Sequence, residues 1–154
     1  MLDDLRELYQ EVILDHGKNP RNYGQPKEVS HQADGHNPLC GDRISVYLDI
    51  DESGVVRNAA FDGRGCAISQ ASASLMTEIV YGKSLEQIEH LFHQFHEMCT
   101  SDKGVAPDDF FADELDRLQV LSGVRQYPVR VKCATLAWHT MNAALAGDQE
   151  TTTE

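Results

Sequence analysis

The stretch Asp62-Gly63-Arg64-Gly65-Cys66-Ala67-Ile68-Ser69 constrains the fold most, because it must end one kind of secondary structure and begin another. Upstream, Ile44, Val46, Leu48 and Ile50 alternate strictly, Ser53-Gly54 supplies a turn, and Val55 to Phe61 reads as the returning strand of a hairpin. Downstream, Ile68, Ala71 with Ser72, Leu75 and Ile79 recur at helical spacing from Ala67 to Tyr81, ending at Gly82. Glycine before the joint permits a sharp turn, and Cys66 falls at a helix N-terminus. There, unsatisfied amides and the positive end of the helix dipole favour a thiolate. The run Ala71-Ser72-Ala73-Ser74 predicts that this helix lies close to the sheet.

The remaining elements follow from periodicity. Leu2, Leu5, Leu8, Tyr9, Val12, Ile13 and His16 predict an amphipathic helix with Asp3, Asp4 and Glu7 in its first turns and Gly17 at its end. A turn-rich loop from His16 to Gly24 and a strand over Lys27 to Asp34 come next. Leu85, Ile88, Phe92, Phe95 and Cys99 form a second helical seam, which makes Cys99 a core thiol. From Thr100 to Leu118 the chain is acidic and broken by Gly104 and Pro107, as expected of a surface insertion closed by a short helix. Pro128 suits the start of a last helix whose stripe is Ala134, Trp138, Met141 and Leu145. The order predicts an α+β domain over residues 1–146, a small three-stranded antiparallel sheet with helices on one face, followed by a fraying tail over 147–154.

Size and charge exclude some functions. The 154 residues suit one domain, and a formal charge of -12 opposes binding to phosphate backbones, so nucleic acid is not an expected partner. No apolar run approaches membrane-spanning length and the first residues are acidic and amphipathic, so the expected compartment is the cytoplasm. In that setting four cysteines suggest metal ligands or reactive thiols more than a disulfide framework.

Antiparallel strands return the chain to where it began, so the hairpin brings the Cys40 and Cys66 loops to one end of the sheet. Cys40-Gly41-Asp42 sets two donors on either side of a glycine; with Cys66 and Cys133 there are three thiolates and one carboxylate, enough for a tetrahedral site. Thiolates favour zinc or an iron-sulfur cluster, and the harder carboxylate is the more exchangeable group. The spacing alone leaves open that these cysteines are separate small hydrophobes. Arg130, one turn before Cys133, could steady the anionic site or be an exposed arginine, and Lys132 carries the same two readings. His90, His93 and His96 flank the Phe92 and Phe95 seam as a solvated edge, His36, four residues before Cys40, reads as a loop hydrogen-bonder or an outside candidate for a ligand in some states, and His139 faces elsewhere.

Four ordered pieces carry a family resemblance: Asn19-Pro20-Arg21-Asn22 within the His16 to Gly24 loop, Asn37-Pro38 before Cys40-Gly41-Asp42, Gly65-Cys66-Ala67-Ile68-Ser69, and Lys132-Cys133-Ala134. Together they resemble the NifU/IscU family of iron-sulfur cluster assembly proteins, over about residues 4 to 146. Within it the chain is similar to the SufU branch, because Lys132 stands where scaffold members carry histidine and because of the insertion before the last helix. The resemblance implies zinc held by Cys40, Asp42, Cys66 and Cys133, and sulfur accepted from a cysteine desulfurase of the SufS kind for a downstream cluster scaffold. Cys40 is the expected acceptor, since it lies on a loop beside Gly41, whereas Cys66 and Cys133 are anchored at helix starts. Two other functions compete: a scaffold that builds a [2Fe-2S] cluster on the same residues, or a structural zinc module.

Overall fold

In the computed structural model the backbone is described for residues 2–100 and 112–152, and side chains from residue 10 onward. The elements in order are α1 (Leu2–Lys18), β1 (His31–Asn37), β2 (Asp42–Ile50), β3 (Val56–Arg64), α2 (Ala67–Val80), α3 (Leu85–Thr100), α4 (Ala112–Leu118), a 3-10 helix (Gln119–Gln126), α5 (Pro128–Ala146) and β4 (Glu150–Thr152). The α+β class stands, but the sheet is four-stranded and mixed, in the order β3-β2-β1-β4. β1, β2 and β3 pair antiparallel, and β4 lies parallel to β1.

Two expectations change here. The first strand begins four residues later than Lys27, at His31, and runs through Gly35, where a Cβ would collide with Thr140 Oγ1 of α5. Glycine is what lets β1 pass under that helix. The tail expected to fray from Gly147 instead supplies β4. Gly147 takes a left-handed conformation (φ 87°) as the cap of α5, and Asp148 N donates to Ala143 O at 2.8 Å. That cap turns the chain back along β1, where Asp34 N donates to Gln149 O at 2.8 Å.

The strand ends nearest the site are tightly registered. Asn37 pairs with Asp42 across a four-residue turn, and Arg43 pairs with Arg64. The ends of β1 and β3 and the start of β2 thus share one edge of the molecule. Asp42 is 1% exposed and shares the core face with Ile44, Val46 and Leu48. α2 packs on β3 and α5 crosses β1 and β2, with Trp138, Phe61 and Phe95 among the largest fully buried side chains.

The acidic segment's residues 101–111 lie outside the described residues, but its last part is not merely superficial. α4 buries Leu115 and Leu118, and the 3-10 helix after it buries Leu121 and Val124. Among the described residues no helix is long and apolar enough to cross a membrane.

The small residues of α2 bring it against other helices as well as the sheet. Ser74 Oγ accepts from Arg21 N at 2.9 Å, which leaves its proton for His16 Nδ1 at 2.7 Å. Burial therefore holds the His16 imidazole below its ordinary value of 6.5, with the nearby Arg21 charge acting the same way. The unfolded chain takes up this proton first, so the stabilisation is complete above 6.5 and is lost as pH falls through the lower folded-state value. The urea midpoint should drop between about pH 7.5 and 5.5 by more in wild type than in His16→Gln. Equal drops would show that His16 does not couple folding to pH.

Candidate metal centre

Three of the four expected residues converge. One donor atom each from Cys40, Asp42 and Cys133 lies within 4.8 Å of the other two. Cys133 Sγ donates to Cys40 Sγ at 3.3 Å. The sequence separation spans nearly the whole domain, and the fold closes it because α5 runs across β1 and β2 with Cys133, 2% exposed, near its first turns.

Cys66 is not in that mutually close set but lies beside it: its amide donates to Asp42 Oδ1 at 3.1 Å. The residue caps α2 in an extended conformation (φ -70°, ψ 170°), with Sγ accepting from Ser69 N at 3.5 Å. The hydrogen bond from Cys133 does most to pull the Cys66 thiol down to about 6, helped by the Ser69 and Ile68 amides against burial and the Asp42 charge. Cys133 shifts the opposite way: donating to Cys66 and Cys40 and being buried both hold its proton on. The first-turn amides of Ser69 and Ile68 act on position 66 in the expected direction, and the Cys133 thiol contributes more than they do.

The donor set also suits a thiophilic cation. Asp42 Oδ2 is buried and has no hydrogen-bond partner among the described residues, an expensive state for a carboxylate oxygen surrounded only by protein. A cation between that oxygen and the sulfurs would satisfy it, and three thiols with one carboxylate match a tetrahedral zinc or iron site. The fourth donor would be Cys66, whose amide already bonds to Asp42 Oδ1.

Two residues not assigned a role from the sequence hold this arrangement. Asn37 is fully buried at the end of β1; its Nδ2 donates to Cys133 Sγ at 3.6 Å and its Oδ1 accepts from Leu39 N at 3.3 Å. Its carbonyl also takes the amides of Cys40 (3.3 Å) and Gly41 (2.9 Å), so one side chain and one peptide shape the whole Cys40 turn. The sequence signal was Asn before Pro, a pair that starts turns. Ser69 is the second.

Arg130 is exposed, with its guanidinium 5.8 Å from the centre of the Tyr127 ring, and Lys132 lines a cleft with His96, Arg125 and His139. His36 is in β1 rather than a loop. Alternation points it away from the face that carries Asn37. Cys99 is fully buried, and burial pushes its thiol up to about 12, as suits a core residue. His93 reaches Glu97 at 3.4 Å on the solvent side of α3, and His139 packs on Phe92 with ring centres 5.1 Å apart.

A thiol and carboxylate cluster stands at the edge of a small sheet, roofed by the helix that delivers the last cysteine, and likeness to known proteins sets the chain among those of iron-sulfur cluster assembly. The chain belongs to the family of the NifU-like N terminal domain, matched over residues 8–134. It is 40% identical over 146 residues to the zinc-dependent sulfurtransferase SufU of Bacillus subtilis, a match covering 95% of each chain. It is also 38% identical over 138 residues to the iron-sulfur cluster assembly scaffold protein IscU of Thermotoga maritima, covering 90% of this chain and 92% of that one. Among solved structures, FiSufU of the SUF system from Fervidobacterium islandicum superposes with a TM-score of 0.78 at 31% identity, over 91% of this chain and 98% of its own.

Proposed function

We propose that this chain is a zinc-holding sulfur acceptor, which takes the terminal sulfur of a cysteine desulfurase persulfide on Cys40 and passes it to a downstream cluster scaffold. The observation that carries this reading is the buried, unpaired Asp42 Oδ2 beside two thiols, one of which, Cys40, is exposed on a turn. Likeness to a relative named as a zinc-dependent sulfurtransferase, and Lys132 in place of histidine, support it further.

Zinc, when bound, supplies a Lewis acid that keeps the coordinating sulfurs deprotonated near neutral pH while damping their reactivity. The chain's own residues divide the remaining work. Cys133 is buried and held by α5, Asp42 is buried on β2, and Cys66 is tied to the first turn of α2. Cys40 is exposed on the turn after β1, beside Gly41 at φ 72°, so its sulfur is one that an incoming persulfide can reach. The Cys40 thiolate attacks the terminal sulfur of the incoming persulfide; the S–S bond breaks, the partner cysteine leaves as thiolate, and the terminal sulfur stays on Cys40 with its proton. No oxidant or reductant is consumed. The acidic surface suits a partner whose docking face is basic.

A second reading, a scaffold that assembles an iron-sulfur cluster on the same residues, draws on the thiol-rich donor set and the likeness to IscU. Metal analysis and an absorption spectrum of protein purified without oxygen separate the two. The proposed function requires near-stoichiometric zinc with no visible bands, and a brown chromophore would favour the scaffold. After sulfur loading by a desulfurase, mass spectrometry should then find the persulfide on Cys40. Zinc without any rise in desulfurase turnover would reduce the protein to a structural zinc module.

A further inference from the structure

The hydroxyl of Ser69 is a polar atom beside the cluster that this reading leaves unexplained. Ser69 is fully buried, and its Oγ has no hydrogen-bond partner among the described residues. A cation among the sulfurs accounts for Asp42 Oδ2, an acceptor, but leaves the donor of Ser69 unspent. Native interiors keep few such atoms, and each one calls for a cause.

Its position supplies one. Ser69 stands in the first turn of α2, three residues after Cys66, with its amide on the Cys66 sulfur. Its hydroxyl faces Asp42 across Gly65: a Cβ built on Gly65 would stand 2.9 Å from Asp42 Oδ1 and 3.1 Å from Ser69 Oγ. Any side chain at position 65 would fill the space between donor and carboxylate, and glycine leaves it clear. While the carboxylate reaches the sulfurs the hydroxyl is idle. A turn of the Asp42 side chain toward Gly65 would engage it, beside the Cys66 amide that already donates to Oδ1 at 3.1 Å.

We propose that Ser69 is a positioning residue, whose hydroxyl together with the Cys66 amide receives the Asp42 carboxylate when it withdraws from the sulfur cluster. The inference rests on the reading that the cluster holds zinc, and it adds that Asp42 is the ligand given up when the site opens. Ser69 sets how readily that happens. An idle buried donor disfavours the closed arrangement, and a satisfied one favours the open arrangement, so both effects speed opening.

The test is zinc release from the full-length, zinc-loaded chain to a chromophoric chelator, alongside thermal melting. Ser69→Ala should slow release by about tenfold without lowering the melting temperature, because it removes both the closed-state penalty and the open-state donor. Ser69→Thr, which keeps the hydroxyl, should release zinc at close to the wild-type rate. In an Asp42→Ala background the Ser69→Ala change should have no effect, since Ser69 acts only through that carboxylate. A merely structural serine predicts the reverse sign, with faster release and a lower melting temperature in Ser69→Ala. Unchanged or faster release, or an equal effect with and without Asp42, overturns the inference. Should Ser69→Thr not fold, the comparison in the two Asp42 backgrounds still decides. A wild-type chain that binds no zinc overturns the functional reading and this inference with it, whereas a zinc-holding wild type with an unaltered Ser69→Ala rate overturns this inference alone.

Discussion

Replacing Cys40 with serine is expected to cut sulfur acceptance from a cysteine desulfurase on the order of 100-fold or more, because a hydroxyl near neutral pH supplies almost no anionic nucleophile where a thiol supplies a thiolate. The fold should survive. Cys40 is exposed on a four-residue turn whose shape is held by Asn37, and the hydrogen bonds that hold it use the backbone of residues 37, 40 and 41. Cys66→Ser and Cys133→Ser should differ from Cys40→Ser in kind. The Cys66 sulfur caps α2 and the Cys133 thiol is buried among α5, Asn37 and Cys40, so their loss should loosen metal binding and also lower the melting temperature. The measurement is single-turnover transfer of labelled sulfur followed by peptide mapping. Wild-type label on Cys66 or Cys133, or undiminished transfer to Cys40→Ser, would remove Cys40 from the role.

How far the sequence revealed this arrangement depended on whether a residue's place followed from its own element or from its neighbours. The helices and the β2–β3 hairpin were legible because Leu85 to Cys99 and Ile44 to Ile50 each write their own period. The hairpin alone implied that Cys40, Asp42 and Cys66 share one end of the sheet, and the register of Arg43 with Arg64 has that geometry. β1 was hidden. His31 to Asn37 contains Ala33 as its sole apolar side chain, and its burial comes from Gly35 sliding under Thr140. β4 was hidden for another reason: three polar residues become a strand only because the Gly147 cap aims them at an open sheet edge. Cys133 joined the donor set by residue type, and the family resemblance is what tied it to this end of the sheet, since nothing local says where α5 will cross. Of the two readings of Arg130, the exposed one fits its guanidinium 5.8 Å from the centre of the Tyr127 ring, and a polar group that meets the Cys133 sulfur is Asn37, 96 residues away in sequence.

The same strand ends set up the largest stability effect expected of a single methyl group. Gly63 has φ 127°, a region that L residues rarely enter, and a Cβ there would press on the backbone carbonyl of Arg43 in the paired strand. A flexible side chain could give way, but this neighbour is backbone held in the β2–β3 ladder. Gly63→Ala should therefore cost about 2–5 kcal/mol from conformational strain and overpacking together, or a melting temperature lower by about 5–15 °C for a chain of this size. The damage should also reach the cluster. Arg43 directly follows Asp42 and Gly63 lies three residues before Cys66, so prising the strands apart lengthens the bond from the Cys66 amide to Asp42 Oδ1. Zinc affinity should fall together with stability, and excess zinc should restore part of the lost melting temperature by mass action. Gly123→Ala is the control: that glycine has open space where the Cβ would go and no positive φ, so its variant should melt within about 2 °C of wild type. If Gly63→Ala melts as high as Gly123→Ala, the close approach of the two strands at Arg43 is not what holds Asp42 and Cys66 together.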